Sequence, residues 1–354
     1  MSKQRSLVRG HIDEVRRAIE FGSPAYVPME LVDVPHIYNA YGTLAAETVA
    51  VPEGAEDFDA AWVTYHWTFQ DLGRNANGEP VRKDEWGCTQ IVPNDTGVAY
   101  QVIERPKLET LADVAAYPWP DPGGANWFFE SRRRLIEQYY PYRFICGLLD
   151  PAPFVVAFEL FGYDGLLLNL YDRLDVVLAV LDRIVEYQLA LIPKFKEMGA
   201  HMVNVIDEVA GTAGMMFSPR LFREHFKPMY DKLFAEIHRQ GMYTSLLLDG
   251  NLAQIMDDLV AMDLDQHLFV QAHSTGLGVI ADCFRGKRSL KVSVDMMRNL
   301  ASGTPAEIEA EVDDIVRHFR TDKGGLVFEA MRWHRPEFAP ERVRAQIQAM
   351  NRYR

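Results

Sequence analysis

Eight short apolar runs recur along the chain, at residues 26–30, 61–65, 144–149, 202–206, 243–248, 268–271, 290–294 and 326–329. They are near-continuous rather than alternating, the pattern of strands covered on both faces. Helical patterns lie between most of them. Residues 175–198 carry apolar side chains at three- and four-residue spacing. Residues 219–240 follow Ser218 and open on Pro219, an N-cap and first-turn pair. Residues 304–320 open T-P-A-E, a capping-box pattern, and 340–351 close the series. Strands that alternate with helices in this number predict an α/β chain folded as a (β/α)8 barrel. A doubly wound sheet is the alternative. Its dinucleotide fingerprint is missing, because the pairs Gly123-Gly124 and Gly324-Gly325 lack G-x-G-x-x-G spacing. A length of 354 residues is within the range of a single barrel domain, here 1–354.

Residues from about 70 to 127 interrupt the alternation. They carry Asn77-Gly78, D-T-G at 95–97 and Y-P-W-P-D-P-G-G at 117–124. Two extended runs, 88–92 and 98–104, are spaced to form a hairpin. This segment reads as a long insertion after the second strand, expected to fold over the C-terminal mouth of the barrel.

In such a barrel the residues just after each strand line the mouth. They are Glu30 and Asp33, His66 and Trp67, Asp150, Asp207 and Glu208, Asp249 and Asn251, His273, Asp295, and finally Glu329, Arg332, Trp333 and His334. The stretch L-L-L-D-G-N at 246–251 is one of these positions. A single Asp there is most simply a turn residue or a helix cap. Carboxylates and imidazoles gathered at one mouth perturb one another's protonation, which is a mark of functional sites. The catalytic candidates are His66, Asp207, Glu208, Asp249, His273 and Glu329. The candidates for substrate contact are Tyr65, Trp67, Trp86, Asn251, Arg332, Trp333 and His334. The aromatics in W-V-T-Y-H-W-T-F and Trp86 are either core packing or a stacking wall for a flat ligand.

The formal net charge of −13 argues against nucleic acid or an anionic membrane as the principal partner. Cys88, Cys146 and Cys283 are scattered and form no C-x-x-C pair, which fits a reducing cytoplasm without disulfides. The opening M-S-K-Q-R-S-L-V-R-G-H-I has no apolar signal core, and no run of about 18 apolar residues marks a membrane span.

An ordered set of segments resembles the uroporphyrinogen decarboxylase superfamily. They are D-E-W-G at 84–87, A-A-Y-P-W-P-D-P at 115–122, Asp207-Glu208, M-M-F-S-P-R-L-F-R-E-H-F-K-P at 215–228, D-G-N at 249–251, V-D with G-T-P at 294–305, Gly324-Gly325 and the closing P-E-R-V. Their order extends from about residue 20 to the end. The resemblance implies a (β/α)8 barrel and either decarboxylation or corrinoid-linked methyl transfer.

The departures from the family's patterns sort these activities. Decarboxylases resemble one another in an R-Q-A-G-R motif whose arginines hold substrate carboxylates; here M-E-L-V-D-V-P occupies 29–35. Their aspartate after the second strand is replaced by His66, and their late Gly-His-Gly segment is missing, although Arg332 and His334 lie nearby. Thiol-methylating members carry H-x-C-G after the fifth strand and a cysteine after the eighth, which together bind zinc. Here Leu247 and Asp249 stand at the histidine and cysteine positions of L-L-D-G, and no cysteine lies near residues 329–334.

The resemblance then points to the branch that demethylates methoxylated aromatics and passes the methyl to a corrinoid carried by a separate protein. Asp265-x-His267 lacks the glycine of a corrinoid-binding D-x-H-x-x-G, so the corrinoid is expected on a partner. A metal, zinc included, is left open, and a homodimer is possible by analogy with the family. The alternatives are a lyase acting on porphyrinogen or a smaller acid, and a non-catalytic barrel that binds a tetrapyrrole or corrinoid.

Overall fold

A computed structural model describes residues 2–32, 51, 54–65, 67–92, 100–149, 152–330 and 338–354, with side chains from residue 11 onward. Eight strands close into a barrel: β1 (Met29–Leu31), β2 (Ala60–Thr64), β3 (Phe144–Leu149), β4 (Met202–Asp207), β5 (Tyr243–Leu248), β6 (Gln266–Phe269), β7 (Ser289–Val292) and β8 (Leu326–Ala330). Neighbours in chain order pair in parallel, and β8 closes on β1 through Glu30 opposite Glu329. The chain is therefore a (β/α)8 barrel, as the apolar runs predict. β3 and β5 coincide with the expected segments. β6 begins two residues earlier than expected, because two polar residues belong to it. Gln266 donates to Ser289 Oγ at 3.1 Å, and His267 is buried and stacked on Phe269.

The register shows which side chains enter the barrel. Lys291 pairs with Leu268, Leu268 with Leu247, and Leu247 with Ile206. Paired residues of a sheet share a face, and alternate residues along a strand share it too. Asn204, Ser245, Gln266, Ser289, Lys291 and Glu329 therefore line the interior, and Glu208 and Asp249 continue that face at the top. Asp207 and His267 face outward, toward the helices. An interior this polar is unusual for a barrel core, which branched aliphatics ordinarily fill.

The helices form as their sequence signals require. Leu174–Met198 ends on Gly199 at φ +103°, the left-handed cap that glycine permits. Thr304 and Glu307 complete both halves of the capping box ahead of Pro305–Phe319. The segment at 219–240 is not one regular helix. A π-helical turn at Phe222–Phe226 separates Pro219–Leu221 from Lys227–Arg239. Pro228 lacks the N–H that would continue regular pairing there. A further helix, Ser2–Glu20, precedes β1 and was not expected.

Between β2 and β3 a four-stranded antiparallel sheet forms from Phe69–Arg74, Pro80–Asp84, Thr89–Ile91 and Gln101–Glu104. Its last pair is the anticipated hairpin. Its contacts run to the segment after β2, where Glu85 meets Tyr65 and Thr68, and to the helices after β3. Tyr100 donates to Glu159 Oε1 at 2.8 Å, Arg105 Nε to the Glu159 carbonyl at 2.9 Å, and Trp86 packs on Tyr187. These contacts seat the sheet against the segment after β2 and the helices after β3. No single helix among the described residues is long and apolar enough to cross a membrane.

Candidate active site

The loops after β4, β5 and β6 are bonded to one another through L-L-L-D-G-N. Gly250 has φ +85°, and a Cβ there would lie 2.5 Å from the Ala210 carbonyl oxygen. Only glycine allows both the turn and this close approach. The Asn251 N–H donates to the Gly211 carbonyl at 2.9 Å. Thr275 Oγ1 donates to the Gly250 carbonyl at 3.1 Å and accepts from the Leu252 N–H at 3.0 Å. The stretch is thus both a turn and a site rim: the glycine satisfies the local backbone, and the pinned turn aims Asp249 at the mouth.

Asp249 is half-buried, and among the described residues no hydrogen bond reaches its Oδ1. Burial, helped by the charges of Glu208 and Asp295, pushes its carboxyl up to about 7. Burial also raises Glu208, although that residue is exposed at the rim. Asp295 is raised by burial, with its Oδ1 accepting the N–H groups of Met297 and Arg298. Burial raises all three carboxyl groups, and Glu208 and Asp295 together raise Asp249, which therefore shares a proton near neutral pH.

His273 stands on the short helix Ala272–Thr275 after β6. Its Nε2 lies 3.1 Å from Glu311 Oε1. The bond to Glu311 raises the imidazole above its ordinary value, against the opposing effects of burial and Arg298. Glu311 comes from the helix Pro305–Phe319 and was not anticipated from the sequence. Its position inside an amphipathic helix gave no signal beyond that of a buried acid.

Asp207 has a different place. Its Oδ2 accepts the Phe154 N–H at 3.0 Å and the Tyr230 hydroxyl at 2.8 Å, and its Oδ1 accepts the N–H groups of Val155 and Glu208, each at 3.0 Å. It caps the helix Pro153–Phe161 from the outer face of β4. Its proton balance, pushed up to about 6 by burial, belongs to that cap.

Glu329 is also not at the rim. It is fully buried in the barrel beside Lys291, whose Nζ bonds Glu30 Oε1 at 2.5 Å and lies 3.8 Å from Cys146 Sγ. Trp62 Nε1 donates to the same Glu30 oxygen. Burial opposes the Lys291 charge, but Cys146, Glu30 and Glu329 hold it above the ordinary lysine value. A charged residue inside the apolar run L-K-V-S-V was the available signal for this cluster.

Among the aromatics, Tyr65 is buried away from the mouth. Its hydroxyl meets Glu85 at 3.1 Å and Tyr187 at 2.8 Å, and its ring stacks on Phe129. Trp86 is buried among Trp67, Trp119 and Tyr187. Both are packing, since they anchor the four-stranded sheet. Trp67 is half-buried just past the end of β2, edge-on to Trp86 at 6.5 Å. Asn251 is half-buried, with Oδ1 accepting the Ala253 N–H at 3.1 Å. His66, Arg332, Trp333 and His334 lie outside the described residues, as do Asp33 and Asp150.

A thiolate metal centre does not fit these residues. Cys88 is buried under the sheet, Cys146 in the barrel interior and Cys283 on the outer helix Leu277–Phe284. All three are free, and burial raises each thiol. Among the described residues no three His, Cys, Asp or Glu side chains gather as a metal-binding group.

Comparison with known proteins places this chain in a lineage. No curated protein sequence matches it. Among solved structures, a methyltransferase from Methanosarcina mazei superimposes with a TM-score of 0.66 at 17% identity, over 97% of this chain and 98% of that one. A phosphonopyruvate hydrolase solved with oxalate and Mg++ covers 97% of this chain and 84% of its own at 12% identity, with a TM-score of 0.41, too loose to bear on function. The uroporphyrinogen decarboxylase (URO-D) family profile matches residues 84–353. The segment from D-E-W-G to the last helix therefore carries the family's pattern on the barrel described above, and the chain belongs to the uroporphyrinogen decarboxylase family.

Proposed function

We propose that this protein is a corrinoid-linked methyltransferase that demethylates a small methoxylated aromatic and passes the methyl to a corrinoid on a separate protein. The observation that carries this reading is the desolvated acid Asp249 among the acids of the mouth. Burial raises the carboxyl groups of Glu208, Asp249 and Asp295 together, and pushes Asp249 up to about 7. A mouth of raised acids suits a neutral ether that must be protonated better than a polycarboxylate that needs matching cations. The likeness to a methyltransferase barrel supports the same choice.

In the proposed step the bond between the methyl carbon and the ether oxygen breaks, and its electron pair remains on oxygen. The Asp249 carboxyl, half-protonated near neutral pH, donates its proton to that oxygen and leaves as the carboxylate. The His273 imidazolium is the second donor at the rim. A corrinoid bound on a separate partner would supply the nucleophile for the methyl. Half-buried Trp67 is the aromatic assigned to meet the ligand, with Glu208 and Asn251 assigned to the entry.

Tryptophan fluorescence of the purified chain, titrated with a methoxylated aromatic and separately with a porphyrin, tests this reading. Metal analysis of the same sample accompanies it. Saturable binding of the aromatic, with none of the porphyrin, is expected. Porphyrin binding alone overturns the proposal in favour of a lyase or a tetrapyrrole carrier.

A further inference from the structure

Glu311 joins two loops of the mouth through one carboxylate. Its side chain is 3% exposed and comes from the helix that follows β7. Oε1 lies 3.1 Å from His273 Nε2 and accepts the Asp295 N–H at 2.8 Å. Oε2 accepts the Asn299 Nδ2–H at 2.7 Å. Both oxygens are thus committed, to groups from the loops after β6 and β7. A buried carboxylate with this many donors has one orientation, and it imposes that orientation on the imidazole it meets.

We propose that Glu311 is a positioning residue for the reaction: it fixes which nitrogen of His273 faces the ligand and holds Asp295 in register with it. With Nε2 engaged by Glu311, Nδ1 is the nitrogen left to serve a substrate. The charged groups around the imidazole are Glu311 and Asp295, which favour the imidazolium, and Arg298, which opposes it. Glu311 supplies the direct bond among them. The same oxygen that bonds His273 also receives the Asp295 N–H, so loss of the carboxylate disturbs both mouth residues together. This inference rests on the reading of His273 as a proton donor at the mouth.

The test is a histidine NMR titration of the full chain, with His273 assigned from its missing signal in His273→Asn. In the wild type above the titration midpoint, His273 is expected as the Nε2–H tautomer. An Nδ1–H tautomer overturns the assignment without any need for a variant. In Glu311→Gln the His273 titration is expected to move downward, and Glu311→Asp is expected to restore part of the shift. An unmoved titration in a folded Glu311→Gln protein overturns the proposal. In the demethylation assay the same variant is expected to lower kcat about tenfold or more with KM little changed, the signature of a weakened proton donor. Absence of demethylation in the wild type would count against the proposed reaction, while the tautomer and titration would still decide the role of Glu311.

Discussion

Asp249→Asn is expected to alter how stability depends on pH, and the size of the change follows from the structure. The Asp249 carboxyl rises from 3.8 to about 7, through burial first and then through Glu208 and Asp295. At 1.36 kcal/mol per unit, the folded state loses about 4 kcal/mol when this group ionises fully. The sign follows from the raised value: the folded state holds the proton more tightly than the unfolded chain. The associated stability is complete below pH 3.8 and lost as the pH rises through about 7. The asparagine variant has no charge to bury, so its curve lacks this decline. Urea unfolding followed by circular dichroism across this range reads the difference directly. The wild-type and Asp249→Asn curves should diverge toward alkaline pH, with the variant the more stable. Parallel curves would refute the claim that Asp249 is a desolvated acid, and with it the donor role. A more stable but inactive variant is the pattern expected of a strained functional group.

Other substitutions test other parts of the argument. Lys291→Met removes the cation bonded to buried Glu30 and should cost about 3–5 kcal/mol in denaturant unfolding. Gly250→Ala places a methyl against the Ala210 carbonyl at a positive φ, so the melting temperature should fall and ligand binding at the mouth should weaken with it. Asp207→Asn, which keeps the size but weakens a helix cap and the Tyr230 bond, should destabilise the fold by about 1–3 kcal/mol, whereas a donor at the mouth would lose activity with stability intact.

The barrel was legible in the sequence because a strand covered on both faces must be continuously apolar, and a helix on its surface must be periodic. Those constraints are local, and eight repetitions leave few architectures that bury them all. Gly250 and Asp249 were legible for the same reason: a left-handed turn at a strand end needs glycine, and the barrel brings strand ends together. The boundary of β6 was not legible, since Gln266 and His267 look like loop residues until their neighbours, Ser289 on β7 and Phe269 on β6, are known.

The candidate site divides along a similar line. From sequence, Asp207, Asp249 and Glu329 are equivalent acids at strand ends. Strand parity and shear separate them: Asp207 turns outward to cap a helix, Glu329 sinks beside Lys291, and Asp249 remains at the rim. A displacement of one residue along a strand reverses the face a side chain presents, and composition carries no record of that displacement. Glu311 lies furthest from what local pattern encodes, 38 residues from the His273 it orients. The sequence by itself determined the architecture and the ring of residues available to its mouth. Only the tertiary structure decided which acids are desolvated, which are satisfied and which imidazole is held, because protonation and orientation depend on neighbours that chain order does not place side by side.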